Sequence, residues 1–255
     1  MCALIRSLYR NAHSGRRVLI SLVSGVACML LLAGCSLPWQ HTTPTSGLGP
    51  RPTAQQVLAA IQKNFRTVSS FHISMKTENL GSATSSQFVI RNADGDVLMP
   101  DKIRAQASVL LSGQAVTVNL ISIGTNQFIT DPITGQWRVV KGMFDPRTLT
   151  NPDTGIISLA GQLRNVTGPT DDSVNGTPCW RVNGLLAAKA LAFFTGGGVP
   201  KGTMLKTSIC AGKADGLPYA ISVTGDAAAG DTSQTTYTFL ITRYNENISI
   251  VAPHV

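Results

Sequence analysis

From Phe71 onward, apolar residues return at every second position in short runs, and turn residues rather than long connections part the runs. Phe71, Ile73 and Met75 alternate with His72, Ser74 and Lys76, the period of a half-buried strand. The pattern predicts further strands at 87–91, 103–111, 115–123, 126–130 and 136–140. Asp94-Gly95, Leu111-Ser-Gly113, Gly124 and Thr134-Gly135 act as separators. More strands are expected at 179–183, 204–210, 219–224, 235–242 and 248–251. Parallel neighbours need a dozen or more residues to cross over, so short separators imply an antiparallel sheet, strongly curved or rolled into an open barrel.

Helical signals interrupt this pattern. Thr53 and Gln56 have the spacing of a capping box just after Pro52, and Val57, Leu58, Ile61, Phe65 and Val68 repeat at three- and four-residue intervals, predicting an amphipathic helix over 53–68. Asn151-Pro-Asp-Thr-Gly155 leads into Ile156, Ile157, Leu159, Leu163 and Val166, which predicts a short helix with an apolar stripe. Leu185–Phe194 (LLAAKALAFF) ends at three glycines, 196–198, and reads as a second. These helices are expected to cover one face or opening of the sheet.

The N-terminus has a different organisation. Arg6, Arg10, Arg16 and Arg17 precede a fifteen-residue apolar run from Val18 to Leu32, the length of a signal-peptide core and shorter than the roughly 20 residues that span a bilayer. It closes on Leu32-Ala33-Gly34-Cys35, which resembles a bacterial lipobox. That resemblance implies diacylglyceryl transfer to the Cys35 thiol, cleavage before it, and attachment to the outer leaflet of the cytoplasmic membrane. Two acyl chains suit a stable anchor because each buried methylene contributes only about 0.8 kcal/mol. The expected organisation is a signal peptide at 1–34, a lipidated Pro/Thr/Gly-rich tether at 35–50 and one domain at 51–255, long enough for a sizeable core.

The formal charge of +8 is largely a targeting feature: the first 34 residues hold four of the 21 basic residues and none of the 13 acidic ones, leaving +4. No cluster of cations interleaved with aromatics points to nucleic acid. Of five cysteines, Cys2 and Cys28 fall in the signal and Cys35 carries lipid, so Cys179 and Cys210 are expected to pair in an oxidising compartment. No third Cys or nearby His completes a metal site.

The stretch Met143–Leu163 (MFDPRTLTNPDTGIISLAGQL) strongly resembles the central segment of the mycobacterial LppX/LprAFG lipoproteins, with Asn151-Pro-Asp-Thr-Gly155 as its most specific part. Val68-Ser-Ser-Phe-His-Ile73, Asn126-Gln-Phe128 through Gln136-Trp137, and Leu240-Ile-Thr-Arg-Tyr-Asn245 are similar to other parts of those proteins, so the likeness runs over about 53–251. It implies an α+β, LolA/LolB-like fold: a strongly curved antiparallel half-barrel with helices packed on the concave face, enclosing a hydrophobic cavity. It also implies diacylated or triacylated lipids or glycolipids as ligands, and an envelope transporter as a candidate partner.

Carried to this chain, Phe71, Ile73, Phe88, Ile103, Phe128, Leu159, Leu163, Leu191, Phe193 and Phe194 are the cavity candidates. Ordinary core packing is the competing reading for each, and a filled interior would make the domain a protein-interaction or assembly module. Catalysis is not expected. His72 stands at a position expected to be exposed, His254 is near the terminus, and no nucleophile elbow, zinc-protease motif or phosphate-cradling loop occurs. No cofactor is implied. Asp94 with Asp96, and Asp171 with Asp172, are pairs that could attract calcium, but exposed turn carboxylates are the ordinary reading.

Overall fold

The computed structural model describes residues 47–81, 89–111, 114–142, 146–151, 153–195 and 198–255. Cys35, the signal and most of the tether lie outside the described residues, as do Phe88, 143–145, Pro152 and two of the three glycines at 196–198.

Helix α1 spans Ala54–Phe65 and starts as its sequence dictates. Thr53 Oγ1 accepts from the Gln56 backbone N–H at 3.2 Å, and the Gln56 side chain accepts from the Thr53 N–H at 2.7 Å. Both bonds satisfy N–H groups that the first helical turn leaves open. Val57, Leu58, Ile61 and Phe65 are buried along one face. The helix ends at Phe65, earlier than the periodicity through Val68 predicts, although Val68 is also buried.

Among the described residues eleven strands follow: β1 (Ser70–Glu78), β2 (Val89–Leu98), β3 (Lys102–Leu111), β4 (Gln114–Ile123), β5 (Asn126–Thr130), β6 (Trp137–Val140), β7 (Arg164–Val174), β8 (Thr177–Ala187), β9 (Met204–Gly212), β10 (Pro218–Thr224) and β11 (Thr236–Thr242). All neighbours are antiparallel in the order β6-β5-β4-β3-β2-β1-β11-β10-β9-β8-β7, an open sheet of two sequential meanders joined by β1 and β11.

Several expectations are corrected. Asp94-Gly95 is no turn; it lies within β2, opposite Ser74 and Ile73. The approach there is close, since a Cβ on Gly95 would come within 2.6 Å of the Ala105 Cβ. Strand β7 was not expected, because RNVTGPTDDSV is polar on both faces. As an edge strand it has register shifts on either side of Thr167 and contains Gly168-Pro169. Its hairpin to β8 turns at Asn175-Gly176 with φ of +49° and +81°, the two-residue turn that favours this pair. The Leu185–Phe194 run is only partly helical: 185–187 complete β8, Ala188–Leu191 is a 3₁₀ turn and Ala192–Thr195 one helical turn. Ile156–Gln162 is likewise a 3₁₀ segment, and 248–251 forms no strand.

One row of side chains crosses eight strands on the face that α1 covers: Val182, Ile209, Ile221, Phe239, Met75, Ala93, Ala107 and Val118. Its first five members belong to the main apolar cluster together with α1, Ile156, Ile157 and Leu159. Helix α1 packs on the 3₁₀ segment Ile156–Gln162, β7 and β8. On the opposite face Cys179 and Cys210 form a disulfide between β8 and β9, with Cα atoms 5.6 Å apart and both residues fully buried.

Candidate functional site

The covered face changes character at β2. In the row just described, large buried residues give way to half-buried Ala93 and Ala107 before Val118 closes the far side. The adjacent row repeats the change: Ile241 and Ile73, then Gly95 and Ala105, then Leu120 and Ile129. Two separate apolar clusters flank this strip. The main one includes α1, and a smaller one comprises Val109, Val118 and Ile129. Half-buried Ile90 packs against both. Alanine methyl groups and the bare backbone of Gly95 on two neighbouring strands therefore make a low floor between taller side chains, Met75 and Ile73 on one side and Val118 and Leu120 on the other.

Seven of the residues singled out from the sequence share the covered face. Phe71, Ile103, Leu159 and Leu191 are almost fully buried in the main cluster, while Ile73, Leu163 and Phe194 pack against it half-buried. Phe71 meets Phe65 of α1, ring centroids 5.4 Å apart, and Phe194 meets Phe239 edge-on at the same distance. Phe128 is not with them. Its register with Ile121 and Val139 continues the row of His72, Asp96 and Arg104 on the opposite face. Phe88 and the side chain of Phe193 lie outside what is described. Sequence reasoning missed the floor itself. The alternation of Ala105 and Ala107 with Arg104 and Gln106 was its signal, and alanine is too small to stand out in a hydrophobic pattern.

Across β1, β2 and β3 the opposite face is polar and tightly paired. His72 is no exposed strand residue: its side chain is 16% exposed, with Nδ1 2.9 Å from Asp96 Oδ1 and Nε2 3.0 Å from Asp94 Oδ2. Ser74 donates to Asp94 at 2.7 Å, and Arg104 and Arg243 donate to Asp96 at 2.9 and 2.8 Å. Burial pushes the Asp96 carboxyl up, but the bonds from His72 and Arg104 and the charge of Arg243 outweigh it and hold it below the ordinary value. Asp171 and Asp172, read as turn residues, lie on β7 and pair with Lys213 and Arg181. Among the described residues no group of His, Cys, Asp and Glu is placed to hold a metal ion. A hollow of about 480 Å³ also opens on this face, and Asn165, Asn183, Lys206, Ser208 and Ser222 are among the residues lining it.

On the covered side, Tyr237 is buried within the main cluster and half-buried Tyr219 packs against it. Burial and the Asp215 carboxylate 2.7 Å away push the Tyr219 hydroxyl up to about 12. Tyr237 donates to both oxygens of Asp231 and is raised still further. These groups stay protonated at neutral pH and act as hydrogen-bond donors rather than as acid–base catalysts. No helix among the described residues is long and apolar enough to cross a membrane.

The chain is similar to LprF of Mycobacterium bovis, a protein named for diacylated glycolipid transport, with 24% identity over 178 residues, 67% of this chain and 66% of that protein. It thus spans just under two thirds of that relative's length. The lipoarabinomannan carrier protein LprG of Mycolicibacterium smegmatis is 23% identical over 63% of this chain and 67% of its own. The crystal structure of Mycobacterium bovis LprF superposes with a TM-score of 0.62 at 18% identity, covering 80% of this chain and 99% of that one. Mycobacterium tuberculosis LppX gives 0.55 at 15% identity, covering 78% and 100%. Both share the fold. The model of the LppX_LprAFG lipoprotein family matches residues 53–250, and with most of the chain inside that match, the protein belongs to the LppX_LprAFG lipoprotein family.

Proposed function

We propose that this protein binds the acyl chains of a lipid or glycolipid on the covered face of its sheet and carries or presents that lipid in the cell envelope, held to the membrane through a diacylated Cys35. The observation that carries the reading is the low floor of Ala93, Gly95, Ala105 and Ala107 between the two apolar clusters. An extended chain laid there is walled by Ile73, Ile90 and Leu120, with the helices over the concave side of a half-barrel. Relatives named for diacylated glycolipid transport and for carrying lipoarabinomannan support the ligand class.

The energetics suit a carrier. Transferring a 16-carbon chain from water yields roughly 13 kcal/mol, but taking it from a bilayer gives up nearly the same amount, so a small net preference both loads and releases it. A filled-core interaction module is the second reading. The close packing of Phe71, Ile103, Leu159 and Leu191, each at most 3% exposed, favours it.

Native mass spectrometry of the protein purified from a lipid-containing host, followed by solvent extraction, separates the two. The expected result is one acylated lipid per folded chain, released on unfolding. A folded protein that never carries lipid refutes capture and leaves the interaction module.

A further inference from the structure

The hairpin of β5 and β6 ends the sheet with an exposed apolar tip. Ile133, in the turn between the strands, is 93% exposed, and Val139 on the edge strand is 56% exposed. Among the described residues, the other large apolar side chains of comparable exposure, Val251 and Val255, belong to the C-terminal tail. Tip exposure here is built into the turn. The Asp131 side chain accepts from the N–H groups of Ile133 and Thr134, each at 3.0 Å, while its backbone exchanges bonds with Gly135 and Gln136 at 2.9 Å. The turn is therefore held closed at its base, and Ile133 projects from a preorganised loop.

The same hairpin carries Trp137, half-buried, and two exposed cations, Arg138 and Lys141. Phe128 and Val139 pair in one row beside Ile121, which continues the apolar surface onto β4. An apolar tip, an amphipathic indole and flanking cations form the composition that seats in a membrane interface.

We propose that the β5–β6 hairpin is a membrane-contact element that inserts its tip residue Ile133 into the interface of an anionic bilayer while Arg138 and Lys141, on opposite faces of β6, meet headgroup phosphates. A second copy of the chain is a poorer occupant. Strand β6 offers only four residues for edge pairing, and one protruding isoleucine has little area to offer against the 1,200 Å² or so of a stable protein interface. A bilayer accepts a single protruding side chain without a matching pocket. This contact does not depend on whether the covered face holds lipid.

Residues Pro44–Val255 form one compact unit with their own apolar core and disulfide, so they serve without the N-terminal segment, whose anchor would hide the effect. The probe is co-sedimentation with phosphatidylcholine vesicles containing about a third phosphatidylglycerol, and with phosphatidylcholine alone. The protein should pellet preferentially with the anionic vesicles and less so at high salt. Ile133→Ser should lower that binding about tenfold, and Arg138→Gln with Lys141→Gln about fivefold per cation, with thermal unfolding unchanged. Protein that merely extracts lipid stays in the supernatant, so capture and docking are read separately. Absence of vesicle binding, or an Ile133→Ser variant that binds as well as the parent, overturns the proposal. So does a concentration-dependent dimer abolished by Ile133→Ser or Val139→Ser, because the face would then be a self-association surface.

Discussion

Replacing Ala107 with Phe tests the floor directly, because open and filled interiors predict opposite signs. Ala107 faces Ala93 on one side and Val118 on the other, so Met75 and Val118 stand three strand spacings apart, about 14 Å, with only methyl groups between them. A phenyl ring at 107 would occupy the middle of that gap. If an acyl chain lies there, the ring displaces about three or four methylenes at roughly 0.8 kcal/mol each, about 3 kcal/mol in all and more than a hundredfold in affinity. The ligand-free fold should hold or gain up to about 1 kcal/mol, because the ring covers apolar surface that is half-exposed in the parent. If the interior is already filled, overpacking should cost about 1–3 kcal/mol instead. Urea denaturation of delipidated protein reads the stability, and titration with a fluorescent acyl probe reads the affinity. A variant that loses about 2 kcal/mol of stability while its folded fraction binds the probe like the parent would refute the floor as the ligand site.

Removing the disulfide by Cys179→Ala with Cys210→Ala opens a loop of 31 residues and should cost about 3–4 kcal/mol, seen as a lower denaturation midpoint; a shift worth under about 1 kcal/mol would show that the paired strands already restrain that loop. Asp96→Asn should cost about 1–2 kcal/mol near neutral pH, a figure kept low because Arg104 and Arg243 are half-exposed. The native Asp96 carboxyl lies below its ordinary value of 3.8, so its contribution is present above that pH and lost as pH falls through the folded value. The gap between parent and variant in urea midpoint should therefore close on acidification; a gap that persists in acid would assign the effect to shape rather than charge.

Where local chemistry and tertiary demand agreed, the sequence was sufficient. Thr53 and Gln56 announce the start of α1, and the alternation from Phe71, through 103–111 and 115–123, and at 204–210 announces strands that exist within a residue or two. Strand β7 was hidden because an edge strand with two polar faces has no hydrophobic period, and its pairing comes from β8 alone. At Asp94-Gly95 the turn signal was outweighed by a charge network on one face and a close strand approach on the other. Phe128 shows a different difficulty. In 126–130 each face carries one large apolar residue, Phe128 or Ile129, and only the register with β4 decides which turns toward the helices. Seven cavity candidates were found together because large buried residues stand out, whereas Ala93, Ala105 and Ala107, which shape the floor, are conspicuous only once neighbouring strands are aligned.

The pairing of β1 with β11 has a consequence for how the molecule is made. Strands β1 to β6 and β7 to β11 are each built from successive hairpins, but β1 waits for the last strand of the chain to satisfy its second edge. A polypeptide emerging N-terminus first therefore carries an unpaired edge at Ser70–Glu78 until about 160 further residues have followed. Truncation anywhere before Thr236 leaves that edge open for good, so C-terminal deletions should be selected against through aggregation rather than through loss of a binding residue.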